Sequence, residues 1–216
     1  YLALVGNLPI GTDEFTGLLD RFSQDSRFVG LRMRDRPGGD AFFTAAVWRD
    51  LALLEEKDLT LDVLIHNFTI EEVTEIAKRL PDLKIMINHL GGLNITNDLF
   101  DEKWKEAMEK VALHENVYCK VSGIFQRAGV KPVPKNRSFY SPVFKVVFDA
   151  FGEDRLVYGS NWPVTDRGGS YSEQLSIIRD YFSPPDMRLE DNERVEHIEQ
   201  KLFRENAIRF YGLQSL

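Results

Sequence analysis

Six short apolar runs, each separated from the next by an amphipathic helical pattern, constrain this chain more than any other feature. The runs are Leu2 to Leu8, Phe28 to Met33, Leu59 to Ile65, Leu83 to Ile87, Val117 to Val121 and Leu156 to Tyr158. They are brief, rich in Val, Ile and Leu, and lack strict alternation. Strands of a parallel sheet read this way when both faces are buried. Between them, Phe15, Leu18, Leu19 and Phe22 share one helical face. So do Trp104, Met108, Val111 and Ala112, then Phe144, Val147, Phe148 and Phe151, then Leu175, Ile178 and Phe182. Each stripe is expected to pack into the core. Thr69 and Glu72 stand at capping-box spacing ahead of Val73, Ile76, Ala77 and Leu80, and Pro81 closes that helix. The strand starts recur about every 25 to 40 residues, as βαβ units require.

Alternating β and α leaves two architectures, a doubly wound sheet or a (β/α)8 barrel. The residues at the strand ends decide between them. The runs deliver Asn7, then Arg32 and Arg34, His66 and Asn67, Asn88 and His89, Lys120 and Ser122, and Ser160 and Asn161. Six strands ending in polar, reactive groups fit a barrel, whose strands all feed one mouth. An open sheet would gather such groups at one switch point beside a Gly-rich phosphate loop, and no G-x-G-x-x-G succeeds the first run. The fold class predicted is therefore α/β, a TIM barrel with six of its eight strands in this chain. The chain opens inside an apolar run at Tyr1, so the first two strands are expected before it. No composition break divides residues 1–216, which predicts a single domain.

Composition narrows the partners. With 43% hydrophobic residues the chain can bury a sizeable core. A net charge of -7 argues against nucleic acid, whose affinity rests on neutralised phosphates. No apolar window approaches the ~18 residues of a membrane span. The one cysteine, Cys119, excludes an internal disulfide and a Cys-based zinc cluster and is expected to pack rather than react. A reducing, cytoplasmic setting is expected, with a removed targeting segment left open. The expected partner is a small-molecule substrate, and self-association into a homo-oligomer is left open.

Several polar residues carry candidate chemistry. His89 ends an apolar run ahead of Gly91 and Gly92, which let backbone approach a ligand. His66 holds the equivalent place one run earlier, and the two could share a divalent metal or a substrate. Arg32 and Arg34 alternate with Leu31 and Met33, which aims both to one side. There they would hold a carboxylate or a polyhydroxy acid through forked hydrogen bonds, or else form one buried salt bridge and one surface charge. Lys120 lies within an apolar run. It must either pair with a carboxylate or act, for example by polarising a carbonyl oxygen.

Ile87-Asn88-His89-Leu90-Gly91, Asn116 to Gly123, Phe151 to Val164 and the closing Asn206 to Gly212 occur in that order and spacing. As a set they resemble the amidohydrolase-related family of TIM-barrel hydrolases, which includes sugar-acid lactonases and pyrone-dicarboxylate lactonase. The resemblance covers essentially the whole chain. It implies that a His-x-His pair on the family's first strand precedes Tyr1. His89 matches the family's His after strand six, and Lys120 and Ser122 its Lys-x-Ser-Gly segment. Arg32 matches a substrate-binding Arg, and Asn161 the Asp of a Gly-Ser-Asp-Trp-Pro motif. Trp162 is expected to wall the pocket. A side-chain amide cannot accept a proton near neutral pH, so Asn161 departs from the family in the role of base.

The expected function is hydrolysis of a small lactone in carbohydrate metabolism, with His89, Asn161 and Lys120 as catalytic residues. Arg32, Arg34, His66, Ser122 and Trp162 are expected to bind substrate. One divalent metal, zinc or manganese, could be held by His66 and His89, although two ligands do not by themselves make a site. The alternatives are a metal-dependent decarboxylase on the same barrel and a catalytically impaired sugar-acid binding protein.

Overall fold

A computed structural model of the chain describes residues 2–36, 39–96, 101–184 and 191–213. The apolar runs form β1 (Leu4–Gly6), β2 (Phe28–Met33), β3 (Thr60–Val63), β4 (Ile85–Ile87), β5 (Val117–Ser122) and β6 (Leu156–Gly159). These are the six runs read from the sequence, some trimmed at their ends. All pair in parallel, and the order in the sheet is the order in the chain. Such an order has no switch point. It is the arrangement of a barrel wall rather than of a doubly wound sheet.

The crossovers carry α1 (Phe15–Phe22), α2 (Ala45–Glu56), α3 (Ile70–Arg79), α4 (Glu102–Val111) and, after β5, a short α5 (Ile124–Arg127) and then α6 (Arg137–Phe151). After β6 come α7 (Tyr171–Phe182), α8 (Asn192–Gln200) and α9 (Asn206–Tyr211). Thr69 and Glu72 form the predicted capping box at the start of α3, and Ser170 and Glu173 form another on α7. Two helical stripes are shifted. Phe22 is largely exposed, and on α7 Gln174, Ile177 and Ile178 take the buried positions while Leu175 is only half-buried.

Residues paired in register on parallel strands point to the same side of the sheet. One side is apolar. Leu31, Leu61, Val63, Ile85, Ile87, Val117, Cys119, Val121 and Leu156 pack there against Leu19, Leu51, Val73, Ile76, Met108, Phe144 and Ile178 of the helices. The other side carries the register row Arg32, Asp62, Met86 and Tyr118, with Lys120 beside Val157 one step further on. Met86 and Val157 form a second, smaller core with Phe210 of α9. The Phe210 ring lies 4.9 Å from that of Tyr118. The terminal helix thus covers the inner face of the sheet toward the amino ends of its strands, while the carboxyl ends carry polar groups.

Candidate active site

β4 stops at Ile87, and the chain turns through a short 3-10 segment, His89–Gly92. His89 and Leu90 take φ of 53° and 55°, a left-handed conformation uncommon for residues with a Cβ. Gly92 comes next but one at φ 72°, and a Cβ there would collide with the Ile65 carbonyl oxygen. The turn brings His89 Nδ1 to 2.7 Å from Ser122 Oγ at the end of β5. Gly123, also left-handed, leaves the floor open between two polar groups. A Cβ on it would lie 3.2 Å from Asn161 Nδ2 and 3.3 Å from His89 Nδ1. His89, Ser122 and Asn161, from the ends of three successive strands, therefore meet at one point.

Asn161 sits at φ 55°, a conformation that Asn tolerates better than most residues. Its amide donates to Gln126 Oε1 at 3.1 Å. The loop beneath is held from inside: Thr165 Oγ1 and Gln174 Nε2 donate to the Ser160 carbonyl at 2.6 and 2.7 Å. Trp162 does not wall a closed pocket. It is 66% exposed on this loop.

One layer deeper, Lys120 Nζ donates to Asp62 Oδ2 at 2.6 Å and to the Tyr211 hydroxyl at 3.0 Å. Tyr211 donates in turn to Asp62 Oδ1 at 2.9 Å, and Arg32 Nη2 approaches Asp62 Oδ2 at 4.0 Å. Of the two roles left open for Lys120, the ion pair is present, and it commits two of the three ammonium protons. The third remains for a ligand oxygen. Gly159 leaves room for this arrangement, since a Cβ there would crowd Lys120 and Ser122 at 3.2 Å.

Burial lowers the His89 pKa to about 4, helped by the cationic Lys120, Arg32 and Arg127 and opposed by Asp62. The ring is thus neutral at pH 7 and able to take a proton. Burial, with the Asp62 carboxylate beside it, holds the Tyr211 phenol well above its usual range. Burial also pushes the Cys119 thiol up to about 12, in keeping with a packing residue.

The metal pairing is not borne out by the geometry. β3 ends at Val63, and His66 falls in an exposed turn beyond it. Among the described residues no three His, Cys, Asp or Glu side chains gather where they could hold an ion. His89 directs one ring nitrogen at Ser122 instead. Among the described residues His66 and His89 therefore do not form the expected metal pair.

Three residues of the site, Asp62, Tyr211 and Gln126, are not singled out by the sequence. Asp62 is legible by the reasoning applied to Lys120, because an acid inside an apolar run needs a cation. Nothing local marks Gln126, and Tyr211, though it lies in the closing Asn206 to Gly212 stretch, acts across a long sequence distance. Asn88, a strand-end group buried beside His89, has no hydrogen-bond partner for either amide atom among the described residues.

A family model for amidohydrolases matches residues 3–213. An L-fucono-1,5-lactonase from Burkholderia ambifaria is 27% identical, over 98% of this chain and 70% of its own length. An L-rhamnono-gamma-lactonase from Scheffersomyces stipitis is 26% identical, over 66% of this chain and 45% of its own. An amidohydrolase from Burkholderia multivorans, crystallised with bound zinc, superposes with a TM-score of 0.80 at 24% identity, covering 99% of this chain and 74% of that one. At that identity the likeness speaks for the fold.

Proposed function

This chain belongs to the amidohydrolase family, and on that premise we propose that it is a hydrolase that opens a small lactone ring. The observation that carries this reading is the meeting of His89, Ser122 and Asn161 over Gly123, with Lys120 one layer below. The names of the lactonase relatives support the choice of substrate.

In this reading Ser122 accepts from His89 Nδ1–H and fixes the ring, which leaves the Nε2 lone pair as general base. Water attacks the lactone carbonyl carbon while Nε2 takes one of its protons. The remaining Lys120 N–H stabilises the oxyanion. When the tetrahedral intermediate collapses, the ring C–O bond breaks, and the imidazolium returns its proton to the leaving alkoxide oxygen. The product is a hydroxy acid, which deprotonates at neutral pH. Asn161 orients the water or the ring by hydrogen bonding and takes no proton, and Gln126 sets the direction of its amide.

The test is hydrolysis of a panel of sugar lactones, monitored by a pH indicator, with zinc, with manganese and with a chelator. His89→Gln should lower kcat by about 10²-fold or more, the usual contribution of a general base. Absence of turnover on every lactone, under all three conditions, overturns the reading.

Asn161 itself favours a second reading, a protein that binds a sugar acid without turning it over. Asn161→Asp separates the two. A sharp gain in hydrolysis over an inert starting protein supports the binder, and rapid turnover by the unaltered protein rules it out.

A further inference from the structure

We propose that Tyr211 of the terminal helix is a positioning residue for the reaction: together with Asp62 it fixes the direction of the one Lys120 N–H that is left for the ligand. The inference rests on the hydrolase reading for what that N–H does, and on the geometry of the cluster for how it is held.

Lys120, Asp62 and Tyr211 close a ring of three hydrogen bonds. Lys120 Nζ donates to Asp62 Oδ2 at 2.6 Å and to the Tyr211 hydroxyl at 3.0 Å, and that hydroxyl donates to Asp62 Oδ1 at 2.9 Å. The phenol keeps its proton, because burial and the neighbouring carboxylate hold it well above its usual range. The sense of each bond is therefore set. An ammonium carries three N–H bonds at fixed angles. One acceptor leaves it free to turn about the Cε–Nζ bond, so the other two N–H directions stay undefined. A second acceptor stops that rotation and fixes the third N–H. Asp62 is the first acceptor and Tyr211 is the second.

The second acceptor is itself firmly seated. Asn206 Nδ2, at the start of α9, donates to the carbonyls of Glu153 and Leu156 at 2.8 Å each. Phe210 packs on Met86 and Val157, and the Tyr211 ring meets that of Phe210 edge-on with centroids 4.7 Å apart. The Lys120 ammonium lies 5.7 Å from the centre of the Tyr211 ring. Of the ion pair, only the lysine can be reached by a ligand: its side chain is 14% exposed, and that of Asp62 is not exposed at all. The arginines of β2 do not replace Tyr211. Arg32 stays 4.0 Å from Asp62, and Arg34, just beyond the strand, pairs with its neighbour Asp35 at 3.2 Å where both side chains are more than half exposed.

An N–H aimed at the lactone oxygen matters most when that oxygen takes up charge. Water adds to the carbonyl carbon, the π pair moves onto oxygen, and the oxyanion meets a donor already pointing at it. No proton passes to the oxyanion, and Tyr211 touches neither substrate nor water. Loss of its hydroxyl should therefore lower kcat and leave KM little changed.

Three measurements on the whole chain test the proposal. Tyr211→Phe keeps the ring and its packing and removes only the hydroxyl. Its kcat on a turned-over lactone should fall about tenfold, the factor that one charge-assisted hydrogen bond is worth. In the background of Asp62→Asn with Lys120→Met, the same Tyr211→Phe change should leave kcat where it was, because residues that act through one group are not additive. Calorimetry supplies a readout that needs no turnover. A cyclic phosphonate, whose anionic oxygen resembles the oxyanion, should bind about tenfold more weakly to Tyr211→Phe, and δ-valerolactam, the uncharged control, equally to both. An unchanged kcat, a fall carried by KM, or an equal fall in the altered background overturns the proposal. So does a lower urea midpoint with kcat intact, which assigns Tyr211 to the fold alone. Tyr211-dependent phosphonate binding by a protein that opens no lactone upholds the hold on Lys120 and overturns the hydrolase reading. Lactone turnover that is the same with and without the hydroxyl does the reverse.

Discussion

A histidine at the end of a buried strand, beside three cations, has its charge state decided by surroundings rather than by its own chemistry. His89 loses hydration, and Lys120, Arg32 and Arg127 repel its proton, so its pKa falls from 6.5 to about 4. A base whose folded pKa is depressed binds fewer protons folded than unfolded between those two values, so stability rises with pH across that window. The contribution is fully present above about pH 6.5 and is lost as pH falls toward 4, at most about 3 kcal/mol from the size of the shift. Urea unfolding from pH 4 to 7 should show this slope, and His89→Gln should flatten it. An unchanged slope would mean that His89 titrates normally. The histidine was legible because its place at a strand end is local information. Its neutrality was not, because two of its three cations lie on other strands.

Among the elements, the terminal helix differs most from its sequence reading. Asn206 to Gly212 reads as a short closing motif, yet α9 lays Phe210 on Met86, Val157 and Tyr118 and sends Tyr211 to Asp62 and Lys120. Phe210→Ala should therefore cost about 3–5 kcal/mol of unfolding free energy, as for other fully buried aromatics. A loss below about 1 kcal/mol would show that the helix does not hold the inner face. The strands and the α3 cap were legible, because a short apolar run and a Thr-x-x-Glu spacing are written within a few positions. The docking of α9 was not, because an amphipathic helix shows that it has an apolar face without showing which surface will cover it.

At the scale of the molecule, the Asp62 carboxylate joins β2, β3, β5 and α9, and Tyr211 reaches it across 149 residues. Asp62 is fully buried, so removing its closest cation leaves its charge to the more distant Arg32 and the Tyr211 hydroxyl. Lys120→Met should cost about 3–5 kcal/mol, and Asp62→Asn with Lys120→Met should recover much of that loss. Additive losses in the double variant would mean that the pair does not couple. The sequence by itself determined the parallel strand order and the residues that reach the carboxyl ends, because βαβ connections and side-chain alternation are local rules. It also set at Asn161 an amide, which takes no proton near neutral pH. Only the tertiary structure decided that His89 faces Ser122 rather than His66, that Lys120 answers Asp62, and that Tyr211 joins them. Those are distances between residues far apart in the chain, and they arise from how the sheet curls and what covers it.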